Sequence, residues 1–202
     1  MPVCPACDGP IEGEPSSCAA CGEDAPAEGW PPDTWIGRTL GGVYELTRRV
    51  GAGSHGVVFA AAHREGELDL GEVALKVLRA IRRDRAARFL KEAESARAVR
   101  SPHALAVHAV GRTEEGLPYV VTPLLRGRTL ATLLREGGPV AEPRALRIAS
   151  AIASALEAIH EAGLVHRDVK PENIFLTKRD DGTLPDFGIA RREADIAGGL
   201  AT

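Results

Sequence analysis

The sequence has few aromatic residues, no excess of positive charge and no long apolar run. Aromatic residues make up 4% of its 202 residues, and the formal net charge is -3. Because nucleic-acid-binding domains concentrate Lys and Arg, this charge gives no electrostatic case for a nucleic-acid partner. No apolar stretch approaches the length, about 18 residues, that a membrane-spanning helix needs. The N-terminus also has neither the basic nor the apolar region of a secretory signal. These absences favour a cytosolic protein.

Cysteine is absent after residue 21, but four cysteines precede that point. Cys4, Cys7, Cys18 and Cys21 form two C-x-x-C pairs that ten residues separate. The cytosol disfavours structural disulfides, and four thiolates at this spacing can surround one tetrahedral Zn²⁺. The pairs resemble zinc-ribbon knuckles; a redox pair, two disulfides or thiols without metal are the alternatives. The sequence therefore predicts a small Cys4 module over residues 1–23 with structural Zn²⁺, which serves in docking to a protein partner or in regulation.

The remaining chain changes from strand patterns to helix patterns. Residues 24–40 are rich in Pro, Gly and acidic residues, which suits a linker. Apolar and alternating stretches predict strands over 43–50, 57–62, 72–78, 104–110 and 117–122, with a charged helix over 82–99. Beyond these strands, the patterns predict helices over 129–136 and 143–162. Strands first and helices afterwards indicate a two-lobed α+β domain over residues 41–202.

A glycine-rich turn and a strand lysine lie in the first part of this domain. Residues 51–58 read G-x-G-x-x-G-x-V between two predicted strands, and a turn without Cβ atoms lets backbone approach phosphates. An ordinary hairpin is the alternative. Lys76 lies inside an apolar strand, where its charge needs an anionic partner. ATP phosphates, or Glu92 on the following helix, would provide that partner, with Glu94 as the alternative acid.

Two further motifs make the pattern specific. Residues 166–173 read His-Arg-Asp-Val-Lys-Pro-Glu-Asn, and residues 186–188 read Asp-Phe-Gly. Protein kinases carry the same elements in the same order: a glycine-rich turn, V-A-L-K, H-R-D-x-K-P-E-N and D-F-G. From about residue 43 onward, the chain therefore resembles a bacterial eukaryotic-like serine/threonine protein kinase.

The resemblance implies an ATP-dependent kinase that phosphorylates Ser or Thr of protein substrates in signalling. Asp168 would accept or orient the proton of the substrate hydroxyl, and Lys170 would lie near the transferred phosphate. Asn173 and Asp186 would hold Mg²⁺ through hard oxygen ligands. Lys76 would bind the α- and β-phosphates and pair with Glu92.

The resemblance also implies how ATP is held. Val58 and Ala74 would enclose the adenine, and Thr122 would be the gatekeeper residue. The backbone of Pro123 and Leu125 would contact the adenine edge. The phosphates would lie on the glycine-rich turn, formed by Gly51, Ala52, Gly53, Ser54 and Gly56.

The chain departs from the family pattern at two prolines and at its end. Pro185 stands where the family usually has an apolar strand residue, and Pro123 replaces the usual acidic residue of the hinge. The sequence stops shortly after D-F-G, so we expect a fragment or a truncated product whose long helix exposes apolar surface. A catalytically incomplete nucleotide-binding or scaffold fragment with a zinc-dependent interaction module is the alternative hypothesis.

Overall fold

A computed structural model describes residues 2–7, 9, 11–19, 21–53, 56–78, 83–177, 182–185 and 191–192. The chain forms two compact units. The first comprises Met1–Arg83 and Gly111–Leu124, and the second comprises Asp84–Val110 and Leu125–Thr202. Within the described ranges, no helix is both long enough and apolar enough to cross a membrane.

A six-stranded sheet forms most of the first unit. Its strands are β1 (Thr39–Leu40), β2 (Tyr44–Gly53), β3 (Gly56–Glu65), β4 (Leu68–Leu78), β5 (Ala109–Arg112) and β6 (Pro118–Pro123). Their order in the sheet is β1-β2-β3-β4-β6-β5. Strands β2, β3 and β4 are long and follow one another as antiparallel hairpins, which match the alternating patterns in the sequence.

Alternation along these strands gives the sheet one fully buried face. Phe59 on β3 is paired with Leu75 on β4, and Leu75 with Val121 on β6. All three side chains are completely buried. Burying an apolar side chain of this size contributes about 1.5–3 kcal/mol, so this row anchors the three central strands to the core.

Residues that composition assigns to a linker pack along the first sheet. The Trp35 ring stacks on Phe59 with ring centroids 5.8 Å apart. The backbone N–H of Gly37 donates to the Leu46 carbonyl, and the N–H of Leu46 donates to the Arg38 carbonyl. Residues 35–40 therefore follow β2 closely before the chain turns into it.

Helices dominate the second unit. The long helix buries Ile148, Ile152 and Ile159 of its predicted apolar stripe together with Ala155, whereas Leu156, also predicted for that stripe, is only partly buried. The elements are α1 (Arg83–Ala96), β7 (Arg128–Thr129), α2 (Leu130–Gly137), α3 (Glu142–Glu161), β8 (Leu164–Val165), a 3₁₀ turn (Pro171–Asn173), β9 (Phe175–Leu176), β10 (Gly182–Thr183) and β11 (Arg191–Arg192). Strands β10, β9 and β7 form one small sheet, and β11 pairs with β8.

An apolar groove of 620 Å³ lies beside α2 and α3. Leu130 and Leu134 line it from α2, and Ile152 and Leu156 line it from α3. Leu146 on α3 is itself 63% exposed. The groove therefore borders the buried stripe of the long helix, and Leu146 is a further apolar side chain outside that stripe.

The α+β class expected from the sequence is confirmed, with one element wrong. The strand predicted over 104–110 is not continuous, because Ala104 forms an isolated bridge to Leu184 and β5 begins at Ala109. The N–H of Leu105 donates to the Leu184 carbonyl, and the N–H of Leu184 donates to the His103 carbonyl. Backbone groups near residue 104 thus pair within the second unit, and not along the first sheet.

Candidate functional site

Within the first unit, most residues predicted to contact ATP lie on one face of the sheet. Gly51 is paired with Val58, and Val58 is paired with Lys76. Ala74 is two residues before Lys76, so both side chains point to the same face, and Ala74 is paired with Thr122. These side chains are partly exposed, whereas those on the opposite face are buried. The sheet therefore brings a lysine, small apolar groups and the glycine-rich turn to one accessible surface.

The end of β6 contains the residues predicted for the adenine edge. Pro123 is the last residue of β6, paired with Val73. The Thr122 hydroxyl donates to the Pro123 carbonyl at 3.4 Å, a weak contact. Leu125 follows in the second unit and is partly buried. The roles of Thr122, Pro123 and Leu125 stay predictions.

The glycine-rich turn joins β2 and β3 as a hairpin. Ala52 is paired with Val57, and Gly53 with Gly56. Ser54, predicted to contact phosphate, lies outside the described residues, as does Asp186, predicted to bind Mg²⁺. The backbone on both sides of the turn is therefore fixed by strand pairing.

Two acids on α1 differ in their surroundings. Glu92 is buried, with 7% of the residue exposed. Glu94 is exposed and accepts a hydrogen bond from Arg97 at 2.8 Å. Glu94, the alternative acid, is therefore solvated, and Glu92 is the acid with the unusual environment. A buried carboxylate needs a charged or hydrogen-bonding partner, as the prediction of a role for Glu92 assumes.

The catalytic-loop residues of the second unit form a compact polar cluster. The Lys170 ammonium lies 2.9 Å from Asp168 Oδ1, and the Asn173 amide donates to Asp168 Oδ2 at 2.7 Å. The same amide donates to the Asp168 backbone carbonyl at 3.0 Å. The 3₁₀ turn Pro171–Asn173 returns the chain so that Asn173 reaches Asp168. The sequence named these three residues, and the structure brings them together.

Electrostatics keeps the Asp168 carboxyl ionised. The Lys170 hydrogen bond lowers the pKa of Asp168, partial burial opposes this, and the Asn173 hydrogen bond lowers it further. The carboxylate is therefore an acceptor at neutral pH. Because the Asn173 nitrogen donates to Asp168, its Oδ1 is the atom that this side chain can offer to a hard cation such as Mg²⁺.

The buried His166 side chain links the catalytic loop to Pro185 by hydrogen bonds. It is 1% exposed, its Nε2 donates to the Pro185 carbonyl at 3.1 Å, and the N–H of Asp168 donates to its Nδ1 at 3.4 Å. A single tautomer, with the proton on Nε2, satisfies both contacts. Pro185 therefore contributes an acceptor to the loop although it has no N–H. Sequence reasoning missed this contact, because the two residues are nineteen positions apart.

Residues 44–196 match the family described as the protein kinase domain. This chain belongs to that family. Its kinase domain is 41% identical over 157 residues to the serine/threonine-protein kinase PknE of Mycobacterium bovis, a match that covers 76% of this chain and 27% of PknE. Identity to PknD of Mycobacterium tuberculosis is 40% over 157 residues, covering 76% of this chain and 23% of PknD. The chain thus spans about a quarter of the length of these relatives.

A solved structure resembles the kinase domain as well. The crystal structure of the Mycobacterium tuberculosis PknI kinase domain matches with a TM-score of 0.66 and 32% identity, covering 79% of this chain and 64% of that one. The resemblance to bacterial serine/threonine kinases, stated from the motifs, is confirmed.

The four cysteines precede the residues that match the kinase domain. Cys4 Sγ lies 3.7 Å from Cys21 Sγ, and Cys7 Sγ lies 3.7 Å from Cys18 Sγ. All four sulfur atoms lie within 4.8 Å of one another, and none of these described cysteines is in a disulfide. The sequence reasoning that grouped them as one site agrees with this geometry.

Backbone turns and a small apolar core hold the Cys4 module. The N–H of Cys4 donates to the Gly9 carbonyl, and the N–H of Cys18 donates to the Glu23 carbonyl. Cys4, Ile11 and Cys18 are buried together, and Trp30 packs against them. The Trp30 indole also donates to the Pro15 carbonyl at 3.0 Å. Sequence reasoning did not assign Trp30 to this module, since it lies beyond the last cysteine.

Proposed function

We propose that this chain is the ATP-binding and catalytic-loop part of a serine/threonine protein kinase, which transfers the γ-phosphoryl group of ATP to Ser or Thr of protein substrates in signalling. The observation that carries the proposal is the cluster of Asp168, Lys170 and Asn173. In it, an ionised carboxylate, an ammonium and an amide lie within hydrogen-bonding distance. The kinase family and its serine/threonine relatives support the same activity.

Phosphoryl transfer depends on positioning and charge neutralisation, and each residue of the cluster suits one task. Asp168 would accept or orient the proton of the attacking hydroxyl. Lys170 would neutralise charge on the transferred phosphate. Bound Mg²⁺ supplies charge neutralisation to the ATP phosphates, and Asn173 Oδ1 would be one of its oxygen ligands, with Asp186 proposed as another.

Replacing the carboxylate tests the proposal. In the full-length protein, Asp168→Asn should reduce phosphorylation of a Ser- or Thr-containing substrate by about 10²- to 10⁴-fold, the contribution typical of a positioned general base. Transfer of labelled γ-phosphate from MgATP measures this, and circular dichroism checks folding. Glu136→Gln is the control, because Glu136 forms an exposed ion pair with Arg128. Retained activity in Asp168→Asn would contradict the proposal; MgATP binding by the wild-type protein without any transfer would instead favour the nucleotide-binding scaffold.

We further propose that the Cys4 module binds one structural Zn²⁺. A tetrahedron with Zn–S bonds of about 2.3 Å has S···S edges of about 3.8 Å, and two of the sulfur pairs are 3.7 Å apart. This distance far exceeds the about 2.05 Å of a disulfide bond. Four protein ligands leave no open position, which suits a structural role and not catalysis. The module would then serve as a docking or regulatory element for a protein partner.

Metal analysis tests this site. Protein purified with reductant and zinc should contain one Zn²⁺ per chain, and Cys18→Ser should lose it together with thermal stability, since binding free energy is folding free energy in such modules. Ser16→Ala, an exposed change in the same module, is the matched control. Wild-type protein without zinc under these conditions would refute the site.

A further inference from the structure

A buried ion pair links the segment before the kinase domain to the strand that leads into the glycine-rich turn. Arg49 Nε donates to Asp33 Oδ2 at 2.6 Å, and Arg49 Nη2 donates to Asp33 Oδ1 at 3.0 Å. The side chains are only 3% and 1% exposed. Asp33 precedes residues 44–196, which match the kinase family, and therefore lies outside that match.

Arg49 stands where the pairing of β2 is interrupted. It is paired with Phe59, and the next pair is Gly51 with Val58, so β2 has one extra residue at Val50. Such a bulge redirects the strand and removes ladder hydrogen bonds locally. The paired end of the β2–β3 hairpin that carries the glycine-rich turn begins at this bulge, directly after Arg49.

Arg49 is held on two sides. Its guanidinium lies 5.1 Å from the Phe59 ring centroid, over a completely buried side chain. The two parallel hydrogen bonds that the guanidinium donates to Asp33 fix its plane, which a single contact would not do. The Asp33 carboxylate is fixed in turn, because Oδ1 also accepts from the N–H of Trp35 at 3.0 Å.

Stability alone does not account for this pair. Buried ion pairs are often no more stabilising than apolar residues of the same volume, whereas their geometry is directional. From the position of the pair at the bulge, we propose that Asp33 is a positioning residue for ATP binding, which acts through Arg49 to orient the glycine-rich turn. This inference rests on the proposed function, in which residues 51–56 hold the phosphates of ATP.

Nucleotide affinity in the full-length protein tests the inference. Asp33→Asn should weaken MgATP binding about tenfold, raise the KM for ATP equally, and leave kcat at saturating ATP within about twofold. Asp33→Glu, which keeps the carboxylate, should restore most of the affinity. Calorimetric titration with MgATP and steady-state kinetics measure these values, well below the unfolding temperature. Glu45→Gln is the matched control, because Glu45 lies on the same strand and its ion pair with Arg64 is exposed.

The outcomes separate this inference from the proposed function. Unchanged MgATP affinity in Asp33→Asn, even with a lower unfolding temperature, would show a merely structural pair and overturn the inference. If Asp33→Asn does not fold, Arg49→Lys replaces it, since it keeps the charge but loses the paired hydrogen bonds, and the same criterion applies. Wild-type protein that does not bind MgATP would overturn the proposed function, and the inference with it.

Discussion

Gly51 and Gly56 belong to the same motif, but their surroundings differ. A Cβ added at Gly56 would lie 2.2 Å from the Val77 carbonyl oxygen, and its φ of +152° is unfavourable for other residues. Among the residues that the structure describes, a Cβ at Gly51 would meet no atom within 4 Å. The protein's own packing therefore requires glycine at position 56 but not at position 51. In the proposed function, glycine at position 51 leaves space for the phosphates of ATP.

This contrast predicts opposite effects of alanine at the two positions. Gly56→Ala should lower the free energy of unfolding by about 1–3 kcal/mol, because it forces a strained backbone and a clash. Gly51→Ala should leave unfolding unchanged or slightly favour the folded state, yet weaken MgATP binding, since the Cβ would occupy space near the phosphates. Denaturant unfolding and calorimetric titration measure the two effects. Equal destabilisation by both changes would contradict this assignment.

The catalytic-loop residues could be named from the sequence because their motif is contiguous. Asp168, Lys170 and Asn173 lie within six residues of one another, so a short turn suffices to bring them together. Contacts between distant residues could not be predicted in this way. The His166–Pro185 bond and the Arg49–Asp33 pair depend on strand register and bulges, which composition does not encode.

Strands and helices with clear periodicity were predictable, and their ends were less so. Helix α3 occupies Glu142–Glu161 against a predicted 143–162, because its apolar stripe and the following Gly163 define it well. Strand β2 continues to Gly53, beyond the predicted end at Val50. Glycines indicate a turn in the sequence, but pairing with β3 keeps Gly51 and Gly53 extended.

Residues 30–38, part of the linker predicted over 24–40, show which contacts a prediction from composition misses. The prolines, glycines and acids of residues 24–40 are typical of flexible chain, but both tryptophans and the aspartate of 30–38 contact specific partners. Trp30 packs on the cysteine core, Asp33 binds Arg49, and Trp35 stacks on Phe59. Whether a Trp or Asp in such a segment is packed depends on a partner distant in sequence, so the contacts appear only in the folded chain.

At the scale of the whole first unit, these contacts join the Cys4 module to the nucleotide-binding sheet. The N–H of Val3 donates to the Pro31 carbonyl at 2.9 Å, and Pro2 forms a bridge with Pro32. Asp33 follows directly and binds Arg49. Three consecutive residues, 31–33, thus carry the attachments to the cysteine module and to the strand that leads into the glycine-rich turn. We therefore expect that loss of order in the module affects the turn.

Metal removal should therefore weaken ATP binding through Asp33. Wild-type protein that is stripped by chelation and desalted should bind added MgATP about threefold more weakly than the zinc-loaded form, because the module no longer holds residues 30–32. In Asp33→Asn the connection is already broken, so stripping should have little further effect, and the two changes should not be additive. Calorimetric titration of wild type and Asp33→Asn, each zinc-loaded and stripped, gives the four MgATP affinities of this double cycle, and Glu45→Gln is the control. Equal losses on stripping in wild type and Asp33→Asn would show that the module and the turn are independent.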